Sequence, residues 1–299
     1  MPATGQKEWT LLEILNWTTE YFEENGIDDA RLNAELLLSE VTGLERVMLY
    51  ARFERKLTPE QRAELRKMVK RRADRYPLQY MLGYTEFYGR RFEVDENVLV
   101  PRPETELVVD KCLEKLPNEE GGYRVLDVGT GSGVIAVTLA CERGETSVLA
   151  TDTSETALSI ARRNAAKHGV EDRIEFRAGH LFEPLTGSEE GRGGGVDLIV
   201  SNPPYIPTES ISDLQPEVSE WEPREALDGG ENGLQLIGEI LSGAARYIDS
   251  DGWLVLEIGE DQADTIQDMA ESAGYDASSM EVMDDDRGPR VVAFPLSEQ

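Results

Sequence analysis

Beyond residue 123 the chain alternates short apolar runs with longer stretches in which apolar residues recur every three or four positions. The short runs read as buried strands and the longer period as helices, so the alternation predicts a mostly parallel sheet covered by helices. Strands are expected at residues 124–128, 147–151, 174–177, 196–201 and 253–258, and helices at 134–143, 154–168, 234–248 and 261–273. The runs at 280–283 and 290–294 have no helical stretch between them, only Asp284-Asp285-Asp286-Arg287-Gly288-Pro289. A direct connection of that kind implies a hairpin, hence an antiparallel strand in the sheet. Residues 187–195 hold five glycines and read as a floppy surface insertion. No internal repeat is found.

The earlier part has a different period. Residues 8–76 read as helices, with Trp9, Leu11, Leu12, Leu15, Tyr21 and Phe22 on one face before a break at Asn25-Gly26. Asp28-Asp29 is expected to cap a second helix, which stops near Thr42-Gly43. Thr58-Pro59-Glu60-Gln61 combines an N-cap, proline at the first helical position and glutamine three residues after the cap. That helix is expected to run to about Tyr76, where Pro77 ends it. Its arginines (Arg62, Arg66, Arg71, Arg72, Arg75) read as a solvated face, with a docking surface for an acidic partner or ribosomal RNA as the other reading. Phe87–Val94 together with 98–100 looks like a β-hairpin, followed by Pro101-Arg102-Pro103-Glu104-Thr105-Glu106, a helix over 107–116 and a loop over 117–122. The expected division is a helical domain at 1–83, a hairpin linker at 84–100 and an α/β domain at 101–299.

Composition narrows the setting. A chain of 299 residues is long enough to bury a substantial core. No apolar run reaches the length of a membrane span and the first residues lack the apolar segment of a signal peptide, so a cytoplasmic protein without membrane attachment is expected. Cys112 and Cys141 form no disulfide framework, and with only His168 and His180 beside them no metal site is expected. The formal net charge is −29, unevenly spread: residues 1–90 hold 14 Lys and Arg against 15 Asp and Glu, and residues 91–299 hold 16 against 44. Such a field repels phosphate backbones, which disfavours stable nucleic-acid binding by the later part. Lysine is scarce, 7 against 23 arginines, and an acidic, lysine-poor surface fits a high-salt cytoplasm where screening removes the self-repulsion.

Two stretches carry candidate chemistry. The strand at 124–128 runs into Asp127-Val128-Gly129-Thr130-Gly131-Ser132-Gly133 and opens a helix, and Asp152 ends the next strand, 23 residues after Gly129. Glycines there permit a tight turn and close approach of a ligand, and a carboxylate at Asp152 can accept both hydroxyls of a ribose. The spacing differs from a dinucleotide fingerprint and no phosphate-loop lysine follows, so a nucleoside without a pyrophosphate fits better. The second stretch is Asn202-Pro203-Pro204-Tyr205 after the strand at 196–201. Two prolines stop a strand and leave a stiff turn, which sets the Asn202 oxygen, a proline carbonyl and the Tyr205 ring beside each other. That set suits a planar amino group; the other reading is a proline-capped loop with Tyr205 in the core.

Asp-x-Gly-x-Gly-x-Gly, the acid ending the second strand, Asn-Pro-Pro-Tyr and the terminal hairpin together resemble the seven-stranded, Rossmann-like S-adenosylmethionine-dependent methyltransferases. The resemblance implies strand order 3-2-1-4-5-7-6 and methylation of a planar nitrogen: adenine N6, guanine N2 or a glutamine amide. The helical N-terminal part, Pro77-Leu78-Gln79-Tyr80-Met81-Leu82-Gly83, Phe87-Tyr88-Gly89-Arg90-Arg91-Phe92 and Pro101-Arg102-Pro103-Glu104-Thr105-Glu106 resemble, over nearly the whole chain, the release-factor glutamine N5-methyltransferases (PrmC/HemK family). That implies S-adenosylmethionine held by Gly129, Thr130, Gly131, Ser132, Gly133, Asp152, His180, Leu181 and Asn202. It implies catalysis at Asn202, Pro203, Pro204 and Tyr205, and class I peptide chain release factors, presenting Gly-Gly-Gln, as substrates in translation termination. The family usually shows Gly-Asp-Leu-Phe where this chain has Gly179-His180-Leu181-Phe182, so His180 stands where a carboxylate is expected near the adenine amino group. The rival expectations are a glutamine methyltransferase acting on a ribosomal protein, a DNA adenine N6-methyltransferase, and a non-catalytic nucleoside-binding scaffold.

Overall fold

The computed structural model describes residues 9–117, 122–186 and 195–297. The glycine-rich insertion read at 187–195 and the loop read at 117–122 fall largely outside them. The chain forms two compact units, Met1–Gly83 with Pro216–Trp221, and Tyr84–Gln215 with Glu222–Gln299. Among the described residues no helix is long and apolar enough to cross a membrane.

The first unit is helical: α1 (Leu11–Glu24), α2 (Ala30–Thr42), α3 (Arg46–Ala51), α4 (Pro59–Ala73) and α5 (Leu78–Leu82), with the short α9 (Pro216–Ser219) contributed from the later chain. Leu11, Leu15, Phe22, Leu37, Leu38, Leu49 and Val69 meet in its core. The expected start of α4 is present in full, since the Thr58 hydroxyl accepts from the Gln61 amide and Gln61 Oε1 accepts from the Thr58 amide. A second capping box, Thr10 with Glu13, starts α1. Asp29 does not cap α2 as expected. It sits in the left-handed region at φ 48°, its side chain makes no cap bond, and Asn33 Nδ2 instead ties back to the Asp28 and Asp29 carbonyls. The arginine stripe is also corrected in part. Arg72 is buried and donates to Asn33 Oδ1 and to Glu217, and Arg75 donates to the same Glu217 carboxylate. A guanidinium out of water needs such partners, and with Arg71 stacked 3.6 Å over the Tyr76 ring, three of the five arginines serve the unit itself. Trp221 completes this anchor, edge-on to Tyr76 with ring centroids 4.9 Å apart.

The second unit begins with a hairpin, β1 (Tyr84–Phe87) and β2 (Arg90–Glu93), turning at Tyr88 and Gly89 with φ of 50° and 68°. Residues 98–100, expected as part of it, form no strand, and Val98 and Leu99 line a cavity instead. Two positive-φ residues make the two-residue turn that matches strand twist, so the register closes on Tyr84–Phe87. Phe87 and Phe92 are fully buried in the core of this unit.

There follow α6 (Thr105–Lys115), β3 (Arg124–Val128), α7 (Val134–Glu142), β4 (Ser147–Asp152), α8 (Glu155–His168), β5 (Ile174–Ala178), β6 (Val196–Ser201), α10 (Gln235–Ala244), β7 (Ile248–Glu257), α11 (Ala263–Ala273), β8 (Glu281–Asp285) and β9 (Gly288–Pro295). The seven strands lie in the order β5-β4-β3-β6-β7-β9-β8, the expected order, with β9 antiparallel to both β7 and β8. Helices α6, α7 and α8 cover one face and α10 and α11 the other, which leaves β3 and β6 buried on both sides. Strand β7 starts earlier than expected, because Ile248 already pairs with Val196 across a bulge. The chain order reverses between β3 and β6, so a crevice opens at their carboxyl ends, where ligands bind in open α/β sheets.

Candidate active site

At that crevice lies a cavity of about 640 Å³. Its wall includes Gly129, Thr130, Gly131, Ser132, Asp152, His180, Leu181, Asn202, Pro203 and Pro204. Ten residues singled out in four separate stretches are thus brought to one space. Gly133 and Tyr205 stand outside the wall.

The glycine-rich turn is held by its own strands. The Gly129 and Thr130 amides both donate to the Thr151 carbonyl, at 2.8 and 2.9 Å. Gly129 and Gly131 have φ of 74° and 55°, and a Cβ at either would project into open space. Gly133 is needed for another reason. Its φ is 83°, and a Cβ there would lie 3.0 Å from the Ala161 Cβ on α8. Close helix approach, not ligand contact, is the role of this third glycine. Asn164, buried on α8, donates from Nδ2 to the Ser132 and Glu93 carbonyls and accepts from the Glu93 amide, which locks the turn to β2.

Two carboxyl groups sit beneath this turn. Asp152 Oδ2 accepts from the Gly131 amide at 2.9 Å and Oδ1 from the Ser154 amide at 2.8 Å. Burial raises its pKa, against those backbone bonds. Each oxygen keeps a lone pair for a further donor. Asp127 is fully buried, and burial pushes it up to about 7, while its bonds from the Thr130 hydroxyl and the Ala136 amide pull the other way. His180 is half-exposed, with Nε2 3.1 Å from Glu239 Oε2.

The Asn-Pro-Pro-Tyr turn leaves β6 at Ser201, whose hydroxyl donates to the Val128 carbonyl and binds the end of β6 to the end of β3. Behind it the backbone packs tightly. A Cβ at Gly229 would lie 2.8 Å from the Pro204 carbonyl, one at Gly233 would lie 2.2 Å from the Tyr205 carbonyl, and Gln262 donates to the same Tyr205 carbonyl. Asn202 Nδ2 donates to Thr105 Oγ1 at 3.1 Å, Thr105 donates to Glu257 Oε2 at 2.7 Å, and the Tyr205 hydroxyl donates to Glu257 Oε1 at 3.2 Å. Burial pushes Glu257 up to about 7 and raises the Tyr205 phenol.

Several wall residues were not among the expected cofactor-binding or catalytic residues: Asn97, Val98, Leu99, Pro101 and Thr105, and Pro223 and Glu225. The Pro-Arg-Pro-Glu-Thr stretch holds two of the walls. Thr105 bonds Asn202, and Arg102 donates to both carboxylate oxygens of Glu222, next to Pro223. Glu257 had a readable signal, a lone acid ending the apolar run Trp253–Leu256.

The PrmC N-terminal domain model matches residues 13–83 and the Methyltransferase small domain model matches residues 107–215. A release factor glutamine methyltransferase of Geobacter sulfurreducens is 46% identical over 267 residues, spanning 89% of this chain and 90% of that protein. One of Chlorobaculum tepidum is 41% identical over 281 residues, spanning 92% and 94%. Among solved structures, the hMettl16 catalytic domain in complex with the MAT2A 3'UTR hairpin 1 matches with a TM-score of 0.56 at 13% identity, over 76% of this chain and 90% of that one. At that identity the likeness is one of fold.

Proposed function

This chain belongs to the release factor glutamine methyltransferase family, and from that premise we propose that it methylates the side-chain amide nitrogen, N5, of the Gly-Gly-Gln glutamine in class I peptide chain release factors, with S-adenosylmethionine as methyl donor. The observation that carries the reading is the meeting of the glycine-rich turn, Asp152 and Asn202-Pro203-Pro204 around one cavity.

The residues fit this cofactor. Two positive-φ glycines leave room where side chains would stand, and Asp152 keeps lone pairs for ribose hydroxyls. Gly129, Thr130, Gly131, Ser132, Asp152, Leu181 and Asn202 would hold it, with His180 at the adenine end and Gly133 bracing the turn from behind. When bound, S-adenosylmethionine supplies an electrophilic sulfonium methyl group. An amide nitrogen is a poor nucleophile, because its lone pair is delocalised into the carbonyl. Asn202 Oδ1 and the Pro203 carbonyl each accept one N–H of the glutamine amide, which fixes its plane and the direction of its nitrogen. Orientation and preorganised dipoles then supply the acceleration. No side chain has to act as a strong base; the proton leaves late, to solvent.

The formal charge of −29 supports a salt-rich cytoplasm as the working environment, where short-range contacts with the release factor outweigh long-range fields. The test is mass spectrometry after incubation with the cofactor and one of three substrates: intact release factor, its Gln→Ala variant at Gly-Gly-Gln, or double-stranded DNA. A single methyl on the intact protein alone is expected. Labelling of the alanine variant, or a preference for DNA, overturns the reading.

A further inference from the structure

The Asn202 amide has two ends of similar shape, and only one of them can accept a hydrogen bond from a substrate –NH₂. Nothing local in Asn-Pro-Pro-Tyr decides which end faces the cavity. The decision comes from a buried chain of hydrogen bonds. An ionised Glu257 is an acceptor at both oxygens, so the Thr105 hydroxyl must spend its single proton on Oε2 and the Tyr205 hydroxyl its proton on Oε1. Thr105 Oγ1 is then left as an acceptor only, and it takes a hydrogen from Asn202 Nδ2 at 3.1 Å. The carbonyl oxygen of Asn202 is the end that remains for a substrate.

We propose that Glu257, acting through Thr105, is the positioning residue that sets the Asn202 amide with its carbonyl oxygen toward the substrate nitrogen, an inference that rests on the assignment of Asn202 to that nitrogen. Neither Glu257 nor Tyr205 lies in the cavity wall, so both act from behind it. Tyr205, whose ring read in the sequence as a flat partner for the substrate, serves here through its hydroxyl, which fills the other oxygen of Glu257. The same carboxylate therefore restrains the first and last residues of the turn.

The relay has a definite proton dependence. A proton on Glu257 Oε2 would donate to Thr105, and the freed Thr105 proton would then favour the Asn202 carbonyl oxygen, reversing the amide. The charged and titratable groups facing Glu257 are Tyr205 after β6, Arg290 on β9, which favours the ionised form, and Glu104 before α6, which opposes it. Arg290 is itself engaged with Asp285. With burial pushing Glu257 up to about 7, the correct orientation is expected above neutral pH and its loss below.

The experiment measures kcat and KM for release factor, at saturating cofactor, across pH for the wild-type chain and for Glu257→Gln, Thr105→Val and Thr105→Ser. All three side chains are close in size to the originals, and cofactor binding by calorimetry reports that each variant is folded. For wild type, kcat should fall as pH drops through about 7. Glu257→Gln and Thr105→Val should lower kcat by roughly 10- to 100-fold, with KM for release factor changed less than about threefold, the pattern of lost orientation. Thr105→Ser should recover most of kcat, and the acid limb should be absent from Glu257→Gln. Wild-type turnover in Glu257→Gln, or an acid limb of unchanged midpoint in that variant, overturns the relay. A wild-type chain that fails to methylate release factor at any pH overturns instead the functional reading on which it rests.

Discussion

Asp127 lies at the base of the glycine-rich turn and makes its ionisation state a measurable property of the fold. One oxygen, Oδ2, accepts from the Thr130 hydroxyl at 2.6 Å and the Ala136 amide at 3.2 Å, while Oδ1 is buried without a partner among the described residues. Burial moves its pKa from 3.8 up to about 7. The unfolded chain releases this proton at the lower value and the folded protein keeps it to the higher one. The folded state therefore binds more protons between the two, and stability falls as pH rises through that window. Each pH unit in the window costs about 1.4 kcal/mol, so from about pH 5 to about pH 8.5 the loss amounts to roughly 2–3 kcal/mol. Asp127→Asn removes the titration. It also leaves a buried –NH₂ where the lone oxygen stood, at a cost of roughly 1–3 kcal/mol that does not change with pH. Urea unfolding of both proteins at the two pH values, in the same salt, separates the effects. Wild type should lose roughly 2–3 kcal/mol more than the variant on going to high pH. Glu257 titrates in both proteins and cancels. Equal losses in the two proteins would show that Asp127 is ionised in the fold at neutral pH and refute the reasoning.

Asp152→Ala should weaken S-adenosylmethionine binding by roughly 2–4 kcal/mol, the order for truncating a buried, charge-assisted pair of hydrogen bonds; an unchanged dissociation constant by calorimetric titration removes the ribose assignment. Asn202→Asp should cut turnover by about 100-fold or more while cofactor binding stays tight, because a carboxylate beside a sulfonium favours the localised charge of the ground state over the dispersed charge of the transition state. Stopped assays with release factor read this directly, and a wild-type kcat in that variant removes Asn202 from the chemistry. The acidic surface predicts a melting temperature that rises from low to molar potassium chloride as self-repulsion is screened. A flat melting curve across that range would leave the charge without a salt-related cause.

Strand positions were legible because strands buried on both faces, such as Val196–Ser201, are mostly apolar and bounded by turn residues, whereas the sheet order came only from the family resemblance. The helix start at Thr58 was legible because both halves of its capping box lie within four residues of sequence. What failed was any reading that depended on a distant partner. Arg72 and Arg75 looked like part of a solvated stripe because their common partner, Glu217, lies 145 and 142 residues away. Residues 98–100 looked like a strand because Val98-Leu99-Val100 is a short, continuous run of apolar, mostly β-branched residues, while the turn geometry at Tyr88 and Gly89 commits the hairpin to β1.

The same distinction runs through the candidate site. Residue types that perform chemistry cluster in short motifs, because a tight turn or a stopped strand is built from neighbours. Glycines at 129 and 131 and the two prolines after Asn202 are of this kind. Orientation is another matter, because an amide can be turned by half a revolution without changing the backbone around it. Here the turn is decided by Thr105, 97 residues before Asn202, and by Glu257, 152 residues after Thr105. A buried carboxylate is costly to keep, and an apolar residue at the end of β7 would pack there without that cost. The hydrogen bonds it receives from Thr105 and Tyr205 go with that cost: they tie α6 and the end of β6 to β7 and give the Asn202 amide one direction. Replacing Glu257 with glutamine should therefore make the protein more stable above neutral pH and a worse enzyme, and a variant that gained both stability and turnover would contradict the link between the two.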